Sequence, residues 1–143
     1  GHVFAGDMFG LSYRELDIDG RQFVFPTTTP VQFEPAAMHA SIDRLLALQP
    51  EAIYVTHFGQ VRDVPRLGAD LHRLIDAHVA AALSHRDAGA GRHHRIKADI
   101  ADILLDEARR QGWRMALDGL LHLMAADVEL NAQGLGAWRD SGA

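Results

Sequence analysis

The chain has 143 residues, 48% hydrophobic and 23% charged, a composition that supports one packed domain, or a domain with an extension, and excludes a disordered polymer. Its formal charge of −5 argues against nucleic acid as a partner, because phosphate contacts need a basic face. The absence of cysteine excludes disulfides, thiolate metal sites and a cysteine nucleophile and fits a reducing, cytoplasmic setting, and no apolar run reaches the ~20 residues that cross a bilayer.

Residues 1–60 mix short strand-like runs with turns. His2 to Gly6 is an apolar run that stops at glycine, the profile of a buried strand, and Asp7 follows it directly. Asp19-Gly20 is a turn signal between Tyr13–Ile18 and Gln22–Phe25, which predicts a hairpin. The stretch "PTTTP", residues 26–30, reads as an irregular loop, since its prolines cannot donate ladder hydrogen bonds. Glu34-Pro35 opens a helix. Met38, Ile42, Leu45 and Leu46 give that helix its apolar face, and Gln49-Pro50 stops it. Ala52 to Thr56 is a second apolar, β-branched run, ending at His57.

Residues 64–134 read as helix. Asp63 is a fair N-cap, Pro65 fits the first turn, and Leu67, Leu71, Leu74 and Ile75 make a stripe. "DAGAG" breaks that helix. A second, opened by "GRHHR", repeats Ile96, Ile100, Ile103 and Leu104, with Asp99, Asp102 and Asp106 outward, and Gly112 ends it. A third repeats Trp113, Leu117, Leu120, Leu121, Met124 and Val128. The last two read as an antiparallel hairpin whose stripe is plain core or a seam with another chain.

Two strands thus end alike, one delivering Asp7 and the other His57, where buried strands meet loops and chemistry is usually located in layered α/β proteins. From the residues alone this pair is either a shared metal site or a turn aspartate and a structural histidine. His39, His72, His78, His85 and His122 read as packed or solvated. His78 and His85, for instance, are seven residues apart, about 10.5 Å along a helix, too far to share one ion.

"FAGDMFG" resembles the segment of the metallo-β-lactamase superfamily in which a strand ends in Gly-Asp. "ASIDRLLALQPEAIYVTHFG" resembles the helix, proline stop and strand that follow it, up to the last histidine ligand before a glycine. The likeness covers about residues 3–60, and "DVELNAQGLGAW" is similar to the helical extension of some hydrolase-like members. The family's His-x-His-x-Asp-His cluster is absent, and the adjacent pair His93-His94 lies on the wrong side of Asp7.

The resemblance therefore implies an α/β fold: the C-terminal half of an αββα sandwich over residues 1–86, then a helical hairpin extension over 92–134. It implies two divalent metal ions in the intact protein, zinc first, with iron or manganese as alternatives. Asp7 would bridge them and His57 complete the shell of the second metal. The implied activity is hydrolysis of an ester, thioester, lactone or related bond of a small-molecule substrate, with this chain alone inactive. A half-sandwich leaves a sheet face uncovered, so a homo-oligomer, or attachment to the missing N-terminal half, is expected. The rival expectation is a non-enzymatic helical dimerisation module.

Overall fold

The computed structural model describes residues 1–28, 33–55, 59–85 and 89–142. Among these the protein is mixed α/β. Strand β1 (His2–Gly6), helix α1 (Pro35–Ala47), strands β2 (Ala52–Val55) and β3 (Gly59–Val61), and helices α2 (Val64–Ser84), α3 (Gly91–Gln111), α4 (Leu117–Leu123) and α5 (Ala125–Asp140) follow in chain order. The chain divides into two compact units: Gly1–Thr27 with Pro35–Ile75, and Thr28–Glu34 with Asp76–Ala143. The division falls inside α2, and the segment 28–34 groups with the C-terminal helices.

In the first unit the sheet order is β1-β2-β3. β1 runs parallel to β2 with His2 opposite Ala52, Val3 opposite Ile53, Phe4 opposite Tyr54 and Gly6 opposite Val55. A parallel neighbour demands a crossover, and the stretch that contains α1 supplies it. β3 returns antiparallel, Val55 opposite Gly59 and Ile53 opposite Val61. Period-two alternation sorts the side chains. Ile53, Val55 and Val61 are buried, whereas Phe4 keeps 83% of its surface in solvent. Phe4 stacks on Tyr54, ring centroids 4.8 Å apart, and Gln60 Nε2 donates to the Tyr54 hydroxyl at 2.7 Å. One sheet face thus presents the row Phe4, Tyr54, Gln60.

The expected hairpin is turned but not laddered. Asp19 and Gly20 both take positive φ (50° and 80°), as a tight two-residue loop requires, and Ile18 and Arg21 exchange backbone hydrogen bonds of 3.0 and 2.8 Å. Beyond that, residues 13–18 and 22–25 form no strand. Leu11 bridges Phe25, and Arg14–Leu16 winds into a 3-10 turn that puts Leu16 in the core at 5% exposure. Burial of one leucine from a short segment outcompetes continuation of a two-stranded ladder, which is marginal by itself. Ser12 Oγ instead donates to the Phe23 carbonyl at 2.6 Å.

Helix α1 ends where Gln49-Pro50 was expected to stop it, with Gln49 at φ 49°. The α2 stripe Leu67, Leu71, Leu74 and Ile75 is fully buried. Asp63 supplies the carbonyl for the first α2 hydrogen bond, from Leu67 N–H at 3.1 Å, while its carboxylate accepts Arg66 Nε at 2.7 Å. A Cβ on Gly68 would lie 2.8 Å from a Leu46 methyl, so the missing side chain lets α1 approach α2 closely.

In the second unit α3 packs along α5. Ile96, Ile100 and Leu104 are buried. Gly112 (φ 71°) ends α3. The Trp113 N–H reaches the Ala108 carbonyl and the Gly112 N–H the Arg109 carbonyl, the paired bonds of a Schellman stop. The single third helix expected from the repeat Trp113 to Val128 is two, α4 and α5, broken at Met124 (φ −104°, ψ 13°). The break re-aims the stripe. Leu120, Met124 and Val128 are buried, while Leu117 is 42% exposed and Leu121 is half-buried. A buried polar node also stands here. The Thr28 N–H donates to Asn131 Oδ1 at 3.0 Å and Thr28 Oγ1 to the Asn131 carbonyl at 2.8 Å, and Asn131 Nδ2 lies 3.4 Å from Nε2 of fully buried His78.

Candidate functional site

β1 and β2 are parallel and adjacent, so their C-terminal ends reach the same sheet edge. Gly6, the last residue of β1, is opposite Val55, the last of β2. The register slips between Phe4 and Gly6, a bulge that bends the strand just before it ends. Gly6 adopts φ 59°, ψ −139°, a conformation that side-chain-bearing residues avoid. This explains Gly before Asp: the chain must swing out of the sheet in one residue.

Asp7 then opens a 3-10 turn, Asp7–Phe9. Its carbonyl accepts Gly10 N–H at 3.0 Å and Thr27 Oγ1 at 3.3 Å. Phe9 is fully buried and anchors the turn, while Asp7 is exposed. The strand end therefore presents a carboxylate from a backbone held on both sides. His57, the other expected ligand, lies with Thr56 and Phe58 outside the described residues; in the chain it follows Val55 by two positions. Of the "PTTTP" loop, Thr27 reaches Asp7 and Thr28 serves the Asn131 node, and residues 29 and 30 lie outside the described residues. Among the described residues, no three or more His, Asp or Glu side chains are grouped to hold a metal ion.

A cavity of about 490 Å³ in the first unit, between the end of α1 and the start of α2, is lined by Leu46, Gln49, Pro50, Val64 and Pro65. Among the described residues that line it, none is titratable.

The histidines are more organised than their helical spacing indicates. His39 of α1 and His72 of α2 meet with Nδ1 atoms 2.6 Å apart, and His72 Nε2 lies 2.8 Å from Asp43 Oδ1. The signal available in the sequence was His39 and Asp43 at i and i+4 on α1, one helical face; the third member comes from another helix and has no sequence signature. In the second unit His85 Nε2 pairs with Asp99 at 2.6 Å. His93 and Lys97 bracket Glu129 at 2.9 and 3.2 Å. The hydrogen bond from His93, aided by those from Lys97 and Gln133, holds the Glu129 carboxyl below the usual carboxylate range. His122 is exposed. In the first unit, burial raises the Asp17 carboxyl above its ordinary value against the pull of Arg14.

Comparison of the chain with protein-family models, with curated proteins and with solved structures finds no match.

Proposed function

We propose that this chain is the metal-binding second half of a hydrolase with a metallo-β-lactamase-like sandwich, followed by a helical extension. One observation carries the reading: the parallel pairing of Gly6 with Val55. It brings the strand end that bears Asp7 beside the strand end that leads to His57, with α1 in the crossover, the order that the resemblance requires.

The residues fit two divalent ions in part. Asp7 offers an exposed carboxylate at a constrained strand end, a hard oxygen donor able to bridge two cations, and His57 offers an imidazole suited to zinc, iron or manganese. Among the described residues no three or more His, Asp or Glu side chains are grouped to hold a metal ion; on this reading the remaining donors come from the first half of the sandwich. When bound, such ions supply Lewis-acid activation of water for attack on an ester, thioester, lactone or related centre. This chain's own contribution is positional. Gly6 sets the direction of Asp7, the buried Phe9 fixes the turn, and Thr27 braces its carbonyl.

The open Phe4–Tyr54 face supports the same reading, because a two-sheet sandwich covers that face with its other sheet. It also suits a second reading, a non-enzymatic association module, to which Leu117 and Leu130, 42% and 50% exposed, add helical contact surface.

The test is made in a protein that carries this chain with the first half of the fold. Asp7→Ala and His57→Ala should each abolish hydrolysis and remove the second metal from elemental analysis. Unchanged metal content and turnover in both variants refute the assignment. A reading frame that lacks the His-x-His-x-Asp-His motif upstream favours the association module.

A further inference from the structure

We infer that His39 and His72 form a separate two-histidine site for a borderline divalent cation, Zn²⁺ or Cu²⁺, with Asp43 as its outer-shell carboxylate. The helices bring the parts together. Leu46 of α1 lies over Gly68 of α2, and the absent side chain permits the close approach. One helical turn beyond Gly68 stands His72, and on α1 His39, Asp43 and Leu46 follow at i, i+4 and i+7, a single face. The same contact that seats Leu46 therefore directs His39 and Asp43 toward His72.

The rings meet edge to edge rather than face to face. Their planes differ by 21° and their centroids lie 4.8 Å apart, which exceeds the 2.6 Å between the Nδ1 atoms by about two ring radii. Each Nδ1 is thus aimed at the other, and one proton occupies the space between them. His72 uses its second nitrogen, Nε2, on Asp43 at 2.8 Å, where it acts as the donor because a carboxylate only accepts. That bond fixes the His72 tautomer with its Nδ1 lone pair directed at His39. A histidine with one nitrogen on a carboxylate and the other presented to a partner is the usual arrangement behind a metal-ligating imidazole.

A cation takes the place of the shared proton. Two Zn–N bonds of about 2.0–2.1 Å at a tetrahedral angle separate the nitrogens by roughly 3.3 Å, with each bond roughly 35° off the line between them, so the Nδ1 atoms part by under an ångström and each ring turns to bring its lone pair onto the ion. His39 and His72 are only half-buried, which leaves them room to move and leaves water to complete the shell. The proton leaves Nδ1 of His39 and is carried by Nε2 of the same ring, so the neutral pair releases no net proton. Nothing in this site draws on Asp7.

The experiment is a calorimetric titration of the full, tag-free chain with ZnCl₂ and with CuCl₂ in a non-coordinating buffer. One ion per chain is expected, copper binding tighter than zinc. His39→Gln and His72→Gln, which keep much of the side-chain volume, should each weaken binding at least tenfold, and Asp43→Asn by about 10–100-fold. A His93→Gln/His94→Gln double variant should leave it unchanged. No saturable binding, loss with only one of the two histidines, or full affinity in His72→Gln overturns the site.

Discussion

Phe4 on β1 and Tyr54 on β2 are direct partners across a parallel ladder, ring centroids 4.8 Å apart and planes within 20°, yet Phe4 is 83% exposed. An aromatic pair at this spacing is a favourable contact, and here it is spent on a surface. Apolar area left in water forgoes roughly 25 cal/mol per Å², so association that covered this face would be favourable. Phe4→Ser should reduce self-association, read by light scattering, and binding of an apolar dye. Monomer stability should fall by about 0.5–1.5 kcal/mol, the worth of the lost aromatic contact. A wild-type chain that is cleanly monomeric and binds no dye would sink the half-sandwich account.

The Thr28–Asn131 node sets the tolerance of α5 to change. A Cβ on Gly134 would stand 1.6 Å from the Thr28 carbonyl oxygen, which is backbone and cannot turn aside. Gly134→Ala should destabilise the protein by about 1–3 kcal/mol or more, the range for overpacking. Asn131→Ala leaves the buried Thr28 N–H without its side-chain acceptor and should cost about 1–3 kcal/mol. Chemical denaturation checks both, and a midpoint equal to wild type for Gly134→Ala contradicts the contact.

Neighbouring leucines on α4 should behave differently. Leu120 is fully buried, so Leu120→Ala should cost about 2–5 kcal/mol. Leu121 is half-buried and helps line a pocket of about 300 Å³ with His94, Lys97, Ala98, Ala101, Ala125 and Val128, so Leu121→Ala should cost clearly less. Thermal melts of the two variants side by side decide it; equal losses would mean that the break at Met124 does not set the burial.

Glu129 links α5 to α3 through His93 and Lys97, and its carboxyl titrates below the usual range. The folded protein therefore binds that proton more weakly than the unfolded chain. The stabilisation is present above the ordinary carboxylate range and disappears as pH falls through the lowered folded value. Glu129→Gln should flatten this acid limb of stability and leave the rest of the profile in place. Melting temperatures followed from neutral pH to below the carboxylate range give the comparison. The contribution is small because the pair lies at the surface, and an acid limb unchanged in the variant would assign the loss to other carboxylates.

Sequence by itself determined the features that local chemistry dictates. Proline and glycine punctuation placed the end of α1 at Gln49-Pro50 and of α3 at Gly112, helical periodicity picked out the buried stripe of α2, and Asp19-Gly20 marked a true turn. These depend on contacts within a few residues, where backbone sterics and periodic burial act alone. Only tertiary structure decided the rest. It put a 3-10 turn where a strand was expected, since seating Leu16 outweighed a marginal ladder, and it split the last helix at Met124. It also set Gly6 against Val55, the pairing on which the proposed Asp7 site rests, and joined His39 to His72 across 33 positions. Such meetings are fixed by which faces pack and how closely two backbones approach, here through the missing side chain of Gly68, and no spacing along one segment encodes them.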